Sequence, residues 1–256
     1  MRNKIAQYIY IYTGNGRFPE EIYYSMKSFK KFHPDWKIKL WVNAEFVTEF
    51  QNNPLFLKIT EELSASIQLR DLLHKTIYGA TSSVIFMTDI ARYVILYEEG
   101  GFYIDNDSIF IREIPELAEE SRTFLCHYTK LTNGVKMLNT FIYSDAGNPF
   151  FLDMLDNFKS FRSVDKKAYS SITYLEQSSY LGGELLEYHN LVSQCTTNLC
   201  VPTLKDYTYN PTTAPIVHVS TSSVLSNQIY LKLLAKLDNP SIGRTPRESV
   251  LIAALT

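Results

Sequence analysis

The sequence predicts an α/β protein with a mixed, mainly parallel central sheet flanked by helices. Its first forty-odd residues read as strand, helix and strand, the order that begins a parallel sheet. Farther along, an apolar helix at 83–98 leads through Gly100 and Gly101 to a short aromatic strand. Asp105 and Asp107 follow that strand, at the kind of position where open α/β sheets bind ligands.

Local patterns define the elements of the first half. The stretch "IAQYIYIYTGNG" predicts a strand that ends in a glycine turn, and "PEEIYYSMKSFKKFHP" predicts a helix that begins at Pro19 and ends before Pro34. The alternating residues Lys37–Val42 predict a second strand. Residues 44–80 predict mostly helical and irregular structure, and the apolar helix after them ends at the glycine pair.

The second half predicts more strands and helices, without a repeat, a low-complexity tract or a clear linker. We therefore expect a single domain over residues 1–256. The predicted strands are 102–104, 108–114, 122–127, 138–143 and 214–219, and the predicted helices are 149–160, 178–188 and 227–237.

The charge, the apolar runs and the cysteine count of the chain indicate which partners and which cellular compartment to expect. With 25 basic and 27 acidic residues and no basic stripe, the chain is not expected to bind nucleic acid. No apolar run approaches the ~20 residues of a transmembrane helix. The three cysteines Cys126, Cys195 and Cys200 fit a reducing compartment, and free thiols are favoured over a pair of Cys195 with Cys200. We expect a cytoplasmic protein, with a peripheral position at the inner membrane surface as the second placement.

The stretch "GGFYIDNDS" places two carboxylates, Asp105 and Asp107, two residues apart. Like charges held together repel each other unless a cation lies near them. A hard divalent cation takes oxygen ligands and keeps positions open for water and substrate phosphates. The pair therefore predicts a metal site for a diphosphate. The alternative is a solvated turn, because Asp, Asn and Ser are also common turn residues.

The helix before the aspartates carries a charged pair. Asp89 and Arg92 are the only charged residues between Val84 and Tyr97, and their spacing puts them on one helix face. An internal salt bridge is one interpretation, but a buried ion pair adds little stability. A functional interpretation is favoured, in which Arg92 holds a phosphate or a sugar hydroxyl and Asp89 accepts hydrogen bonds from sugar hydroxyls.

The stretch "TDIARYVILYEEGGFYIDNDSIF" (Thr88–Phe110) resembles the sugar-binding region of glycosyltransferases that carry a DXD motif. That family includes initiating mannosyltransferases, α-1,4-galactosyltransferases, capsular polysaccharide enzymes and, more distantly, the glucosylating clostridial toxins. "SFKKFHPDWKIKLW" upstream and "LNTFIYSDAGNPFF" downstream extend the resemblance over roughly residues 8–151. The resemblance implies a GT-A-like Rossmann-type nucleotide-sugar-binding fold and a divalent metal, Mn²⁺ or Mg²⁺. It also implies that 1–151 binds the nucleotide sugar, and we expect 152–256 to face the acceptor.

Site roles also follow from the resemblance. It implies that Asp107 and Asp105 bind the metal, with Asp105 also reaching the ribose, and that Asp89 and Arg92 hold the donor sugar. Asn139 and Tyr103 are further donor-binding candidates. The first strand and the late segment depart from the family pattern. In the first strand, Ile9 and Tyr12 stand where a histidine and a tryptophan are usual, and Tyr12 is either a base-stacking or a core residue. In the late segment "PIVHVSTSS" no tryptophan follows the histidine. His218 is a third metal ligand, a pyrophosphate contact, or a histidine packed at the surface at a strand end.

The sequence thus predicts an enzyme: a glycosyltransferase that moves a hexose from a UDP- or GDP-sugar to a hydroxyl of a glycan, a lipid-linked intermediate or a protein. The resemblance implies retention of configuration, and the expected catalytic residues are Asp89, Arg92 and Asp107. Two alternatives stay open. One is a nucleotide-sugar-binding protein without catalysis, and the other is a phosphatase of the haloacid-dehalogenase type with Asp105 as nucleophile.

Overall fold

A computed structural model describes residues 3–11, 18–46, 48, 53–72, 84–160, 172–201, 214–219, 224–239 and 242–256 of the chain. Strands and helices alternate through most of its first half, as in other α/β proteins. The strands are β1 (Ile5–Tyr10), β2 (Lys37–Asn43), β3 (Ser66–Arg70), β4 (Gly101–Ile104), β5 (Ser108–Phe110), β6 (Phe124–Leu131), β7 (Gly134–Ser144), β8 (Cys200–Val201) and β9 (Ile216–His218). The α-helices are α1 (Glu20–Phe32), α2 (Pro54–Glu61), α3 (Val84–Glu99), α4 (Phe150–Ser160), α5 (Ile172–Tyr188), α6 (Val224–Asp238) and α7 (Pro246–Leu255).

Six strands form the central sheet in the order β3-β2-β1-β4-β7-β6. Neighbours from β3 to β4 pair in parallel, whereas β7 is antiparallel to both β4 and β6. The sheet is therefore mixed and mainly parallel, as the sequence predicts. From β1 the chain first adds strands on one side of the sheet (β2 and β3) and then on the other side (β4). Open α/β sheets bind ligands at the carboxyl ends of the strands where this change of side occurs, here between β1 and β4.

A second, smaller sheet has the order β5-β9-β8. β5 follows β4 after the turn at 105–107 and pairs antiparallel with β9, and β9 pairs in parallel with β8. The small sheet thus brings a segment from late in the chain to the carboxyl end of β4.

Both faces of the central sheet are covered, which explains the apolar character of its inner strands. On one face Met26 and Phe29 of α1 pack with Phe102 and other buried side chains. On the other face Ile90 and Tyr93 of α3 pack in a second buried cluster. In the described ranges, no helix is both long and apolar enough to cross a membrane.

The glycine pair that ends α3 is required by the packing. Gly100 has φ +64°, and a Cβ there would lie 2.6 Å from the backbone nitrogen of Ala146. Gly101 has φ +97°, and a Cβ there would lie 2.5 Å from the carbonyl oxygen of Ile5. The buried side chain of Gln7 donates a hydrogen bond to the Gly100 carbonyl. These contacts set the direction in which β4 leaves the helix.

The prediction for residues 44–80 is wrong in part, because Ser66–Arg70 forms the edge strand β3. Its side chains are exposed or only half-buried, so the segment lacks the apolar run that identifies an inner strand. The strand predicted at 108–114 ends at Phe110, since Ile111 already donates its N–H to Pro215 outside the ladder. Helix α7 was not predicted, although Thr245 and Glu248 form a capping box at its start.

The short basic run of α1 is engaged within the protein. Lys30 donates to the carbonyl of Trp36, Lys31 donates to the carbonyl of Ala253, and the Lys27 ammonium lies 5.9 Å from the centre of the Tyr23 ring. These contacts hold the three lysine side chains against neighbouring residues of the protein.

Candidate active site

The turn after β4 is anchored to both neighbouring strands. The N–H of Asp105 donates to the carbonyl of Thr140 on β7, at 3.0 Å. The side-chain amide of Asn106 donates to the carbonyl of Ile9 on β1, at 2.6 Å. Within the turn, the Ser108 hydroxyl donates to the Asp105 carbonyl, at 2.8 Å. The two aspartates of the motif therefore sit on a backbone that three hydrogen bonds hold in place.

The Asp105 carboxylate is oriented by Tyr103 and Arg92. The Tyr103 hydroxyl donates to Asp105 Oδ1 at 2.6 Å, and Arg92 Nη1 lies 3.4 Å from the same oxygen. The guanidinium also lies 4.4 Å from the centre of the Tyr103 ring. Burial raises the pKa of Asp105, and the nearby charge of Asp107 adds to that rise, while Arg92 and His218 oppose it. Added positive charge at this position would relieve the unfavourable burial of the carboxylate.

A buried polar cluster lies beside Asp105. Arg92 Nη2 is 2.8 Å from Asp89 Oδ1, and the Asn139 side chain donates to the same oxygen at 3.0 Å. Arg92 also donates to the backbone carbonyl of Asn139. Only 1% of Asp89 and 5% of Arg92 are exposed. Burial opposes the charge of Arg92, but Tyr103 and the carboxylates of Asp89 and Asp105 hold its pKa above the usual value.

An irregularity in the β6–β7 hairpin delivers Asn139 to this cluster. Cys126 pairs with Ile142 and His127 pairs with Leu138, so residues 139–141 of β7 have no counterpart on β6. Bulges of this kind bend a strand and redirect its side chains, often next to active sites. Here the bulge lets the backbone of residues 139 and 140 accept from both Arg92 and Asp105.

Asp107 meets His218 where the small sheet begins. His218 Nε2 lies 2.8 Å from Asp107 Oδ1 and 3.8 Å from Asp105 Oδ2. The pairing of β5 with β9 sets this approach, because Ser108 is the register partner of His218 and Val219 donates its N–H to the Asp107 carbonyl at 2.7 Å. One ligand atom each from Asp105, Asp107 and His218 all lie within 4.8 Å of one another.

The structure brings most of the predicted site residues to one place. Tyr12 lies outside the described residues, so its role stays a prediction. Two contributors were missed: the Asn106 amide, which ties the turn to β1, and the Thr140 carbonyl, which ties it to β7. The polar middle residue of the motif was a signal for the first, whereas the second depends on a bulge that no local pattern shows. The predicted residues that lie together are Asp89, Arg92, Tyr103, Asp105, Asp107, Asn139 and His218.

Residues 19–124 match the family model described as a glycosyltransferase sugar-binding region containing a DXD motif. Over these 106 of its 256 residues, the chain is similar to DXD glycosyltransferases. This match confirms the resemblance noted in the sequence. It also confirms the prediction of a glycosyltransferase as an enzyme class, without a specific donor. The matched segment ends at the start of β6, so it contains both aspartates of the motif but neither Asn139 nor His218. No curated protein matches this glycosyltransferase chain in sequence.

Solved glycosyltransferase structures align with most of this chain. The UDP-bound glycosyltransferase domain from the YGT toxin aligns with a TM-score of 0.50 and 9% identity, covering 98% of this chain and 89% of that domain. The PaToxG glycosyltransferase aligns at 0.49 with 17% identity, over 99% and 84% of the two chains. The apo-form glycosyltransferase GlyE of Streptococcus pneumoniae TIGR4 aligns at 0.49 with 12% identity, over 98% and 62%. The likeness to the YGT domain confirms the GT-A-like fold.

Proposed function

We propose that this glycosyltransferase moves a hexose from a nucleotide diphosphate sugar to an acceptor hydroxyl in a metal-dependent reaction that retains configuration. The observation that carries the proposal is the convergence of Asp105, Asp107 and His218 within 4.8 Å at the carboxyl end of β4. Beside it lies the buried cluster of Asp89, Arg92 and Asn139. Side chains that suit a cation, next to a buried polar cluster, are the arrangement that a sugar linked to a diphosphate requires.

The three side chains suit a divalent cation. Two carboxylates supply the hard oxygen ligands that Mg²⁺ and Mn²⁺ prefer, and an imidazole nitrogen favours Mn²⁺ over Mg²⁺. Burial raises the pKa of Asp105 and the Asp107 charge adds to it, so a bound cation would stabilise the ionised pair. When bound, the cation offsets the negative charge that grows on the departing diphosphate.

Arg92, Asp89 and Asn139 would hold the donor sugar. The Nε of Arg92 is buried and has no hydrogen-bond partner in the described structure, so the guanidinium retains donor capacity. Because the guanidinium also contacts Asp105, it lies where it can favour negative charge on the leaving group. Its position is held by Asp89 and the Asn139 carbonyl and needs no rearrangement when the reaction occurs.

Retention is proposed to occur by attack on the face that the leaving group departs from. The alternative route to retention, through a covalent intermediate, needs a carboxylate nucleophile. The carboxylate in the buried polar cluster is Asp89. Its Oδ1 already accepts from Arg92 and Asn139, which lowers its nucleophilicity. In same-face attack the acceptor hydroxyl passes its proton to the leaving phosphate. Proton NMR of the freshly formed product tests this step. An anomeric configuration opposite to that of the donor sugar would contradict it.

A donor panel tests the proposed function. Purified protein is incubated with Mn²⁺ and each common UDP- and GDP-sugar, and release of the nucleoside diphosphate and of inorganic phosphate is measured separately. UDP-sugars come first, because the related YGT toxin domain binds UDP. Asp107→Asn is run beside Asp35→Asn, which changes an aspartate that pairs with Lys4 away from the site. We expect release from one donor, lost on chelation and reduced at least about 100-fold in Asp107→Asn only.

Other outcomes identify the alternatives. Release of inorganic phosphate without nucleoside diphosphate would favour the phosphatase. That reading expects its aspartate on the first strand of the core, whereas the motif here follows β4. Nucleotide binding without release from any donor would favour a binding protein and contradict catalysis.

We also propose that the chain acts as one unit, with 1–151 holding the nucleotide sugar and 152–256 facing the acceptor. Residues 152–256 contribute His218 to the three side chains that would hold the cation. The acceptor is a hydroxyl of a glycan, a lipid-linked intermediate or a protein, and a product scan with radiolabelled donor over these three classes would identify it.

A further inference from the structure

Two cysteines that are far apart in the sequence are neighbours on adjacent extended segments. Thr196 donates its N–H to the Cys126 carbonyl at 3.0 Å and accepts from the N–H of Tyr128 at 3.1 Å. His127 and Thr196 thereby form a parallel bridge, which places Cys195 beside Cys126. Their sulfur atoms lie 2.9 Å apart, and both cysteines are free.

We propose that Cys126 and Cys195 are a site of reversible oxidation, at which a disulfide forms between β6 and the segment that leads to β8. Neighbouring parallel segments lie about 4.8 Å apart, within the roughly 4.4–6.8 Å between Cα atoms that a disulfide spans. The sulfur atoms need to approach by only about 1 Å to reach the bond length of about 2.0 Å. The pairing of the two segments and the short distance between the sulfur atoms thus favour the bond.

The exposure of the two thiols assigns their order of reaction. Cys195 is half-buried and reachable from solvent, whereas Cys126 is fully buried. Burial raises the pKa of the Cys126 thiol, and the adjacent Cys195 adds to that rise. A diffusible oxidant therefore meets Cys195 first, and Cys126 resolves the oxidised sulfur. Sulfenic acid followed by a disulfide is the usual sequence for such a pair.

With a peroxide as oxidant the atoms balance. The Cys195 sulfur attacks one peroxide oxygen, the O–O bond breaks, and water leaves behind a sulfenic acid. The Cys126 sulfur then attacks the Cys195 sulfur, the S–O bond breaks, and a second water carries away the thiol proton. Two thiols are oxidised and one peroxide is reduced to two waters. A dithiol such as dithiothreitol reverses the change by thiol–disulfide exchange.

The disulfide would fix the path of a segment that matters for the small sheet. From Cys195 the chain runs to β8 (Cys200–Val201), and β8 pairs with β9, which carries His218. The N–H of Cys200 also donates to His127 Nδ1, so the two regions are already in contact. A link from residue 126 to residue 195 joins two positions 69 apart in the chain and closes the loop between them. A loop of that length restricts the unfolded chain strongly, so we expect the oxidised protein to melt about 5–10 °C higher.

The test uses the full chain, hydrogen peroxide as the oxidant, and no nucleotide or metal. After oxidation, denaturation and alkylation, we expect one alkylated cysteine in place of three and a linked peptide that contains Cys126 and Cys195. Reduction should restore all three thiols and the lower melting temperature. Cys195→Ser should lose the link and the melting shift, and Cys200→Ser, the matched control, should keep both.

Three results would overturn the proposal: three alkylated cysteines after oxidation, a linked peptide that contains Cys200, or a link without a rise in melting temperature. Peptide mapping of the unaltered chain decides the first two, so poor folding of a variant would not obscure the answer. None of these measurements uses donor turnover, so failure here is distinct from failure of the proposed glycosyl transfer.

Discussion

The candidate site has two sides that are built differently. One side is the polar network of Asp89, Arg92, Tyr103, Asp105 and Asn139, in which every member contacts another member and most of the side-chain surface is buried. The other side is the small sheet, whose strands β5 and β9 have three residues each and β8 has two. It places His218 against Asp107 through backbone pairing.

The difference indicates that the two sides contribute to the site in different ways. The polar network is preorganised before any ligand arrives, and such dipoles and charges stabilise a transition state without reorganising. The small sheet holds His218, one of the three proposed cation ligands, with few backbone hydrogen bonds. We therefore expect changes in the polar network to cost folding stability and changes in the small sheet to cost ligand affinity.

The largest expected effect is on the polar network. Arg92→Met removes the cation that Asp89 and Asp105 share, and leaving buried carboxylates without it should lower the free energy of unfolding by about 3–5 kcal/mol. Arg122→Met is the matched control, because Arg122 and Glu119 have the same spacing but lie nearer the surface. It should cost less than about 1 kcal/mol. Urea unfolding measures both, and equal losses would contradict the view that burial makes the network costly to break.

A second effect concerns the backbone that leads into the network. Gly100→Ala adds a Cβ that meets backbone atoms of Ser144 and Ala146 at a positive φ, so we expect a loss of about 2–3 kcal/mol. Gly147→Ala is the control, because its φ is also positive but nothing lies within 4 Å of the added carbon. It should cost only about 1 kcal/mol. Thermal unfolding compares the two, and similar losses would show that the contacts around Gly100 are unimportant.

A third effect is the loss of stability in acid that we expect from His127, which links β6 to β8. Burial lowers the pKa of His127 to about 4, below the value of about 6.5 in an unfolded chain. Below pH 6.5 the unfolded state takes up a proton that the folded state does not, so stability is lost as the pH falls from about 6.5 towards 4. At pH 5 the loss in the free energy of unfolding is about 2 kcal/mol. His127→Gln should abolish this acid-dependent loss, and the glutamine side chain keeps an acceptor for the Cys200 N–H. Urea midpoints at pH 7 and pH 5 measure it, and an unchanged acid loss would contradict this origin.

The smallest expected effect falls on the small sheet. His218→Gln replaces one of three possible cation ligands and should weaken Mn²⁺ binding about tenfold, with little change in melting temperature. His189→Gln is the control, since His189 pairs with Asp153 outside the cation group. Mn²⁺ titration followed by electron paramagnetic resonance measures the affinity. A large stability loss without an affinity change would make His218 a packed residue, which is the alternative that the sequence left open.

The same division explains what the sequence could predict. Asp89, Arg92, Tyr103 and the two aspartates lie within one contiguous stretch of helix, glycine pair, strand and turn, so local patterns and the family resemblance predicted them together. The bulge at residues 139–141 could not be predicted, because it depends on the register between β6 and β7. The contact of His218 with Asp107 joins residues more than a hundred positions apart through a three-residue strand. The edge strand β3 was missed because its side chains carry no buried pattern.

The central claim is that Asp105, Asp107 and His218 hold a divalent cation to which the donor diphosphate binds. Calorimetric titration of UDP and GDP, with Mn²⁺ and after chelation, tests it most directly in the unaltered chain and in Asp107→Asn. The account predicts that one nucleotide binds with Mn²⁺ and that its affinity falls at least tenfold both on chelation and in the variant. Equal affinity in all three conditions, or no binding of either nucleotide, would contradict a cation site at the end of β4.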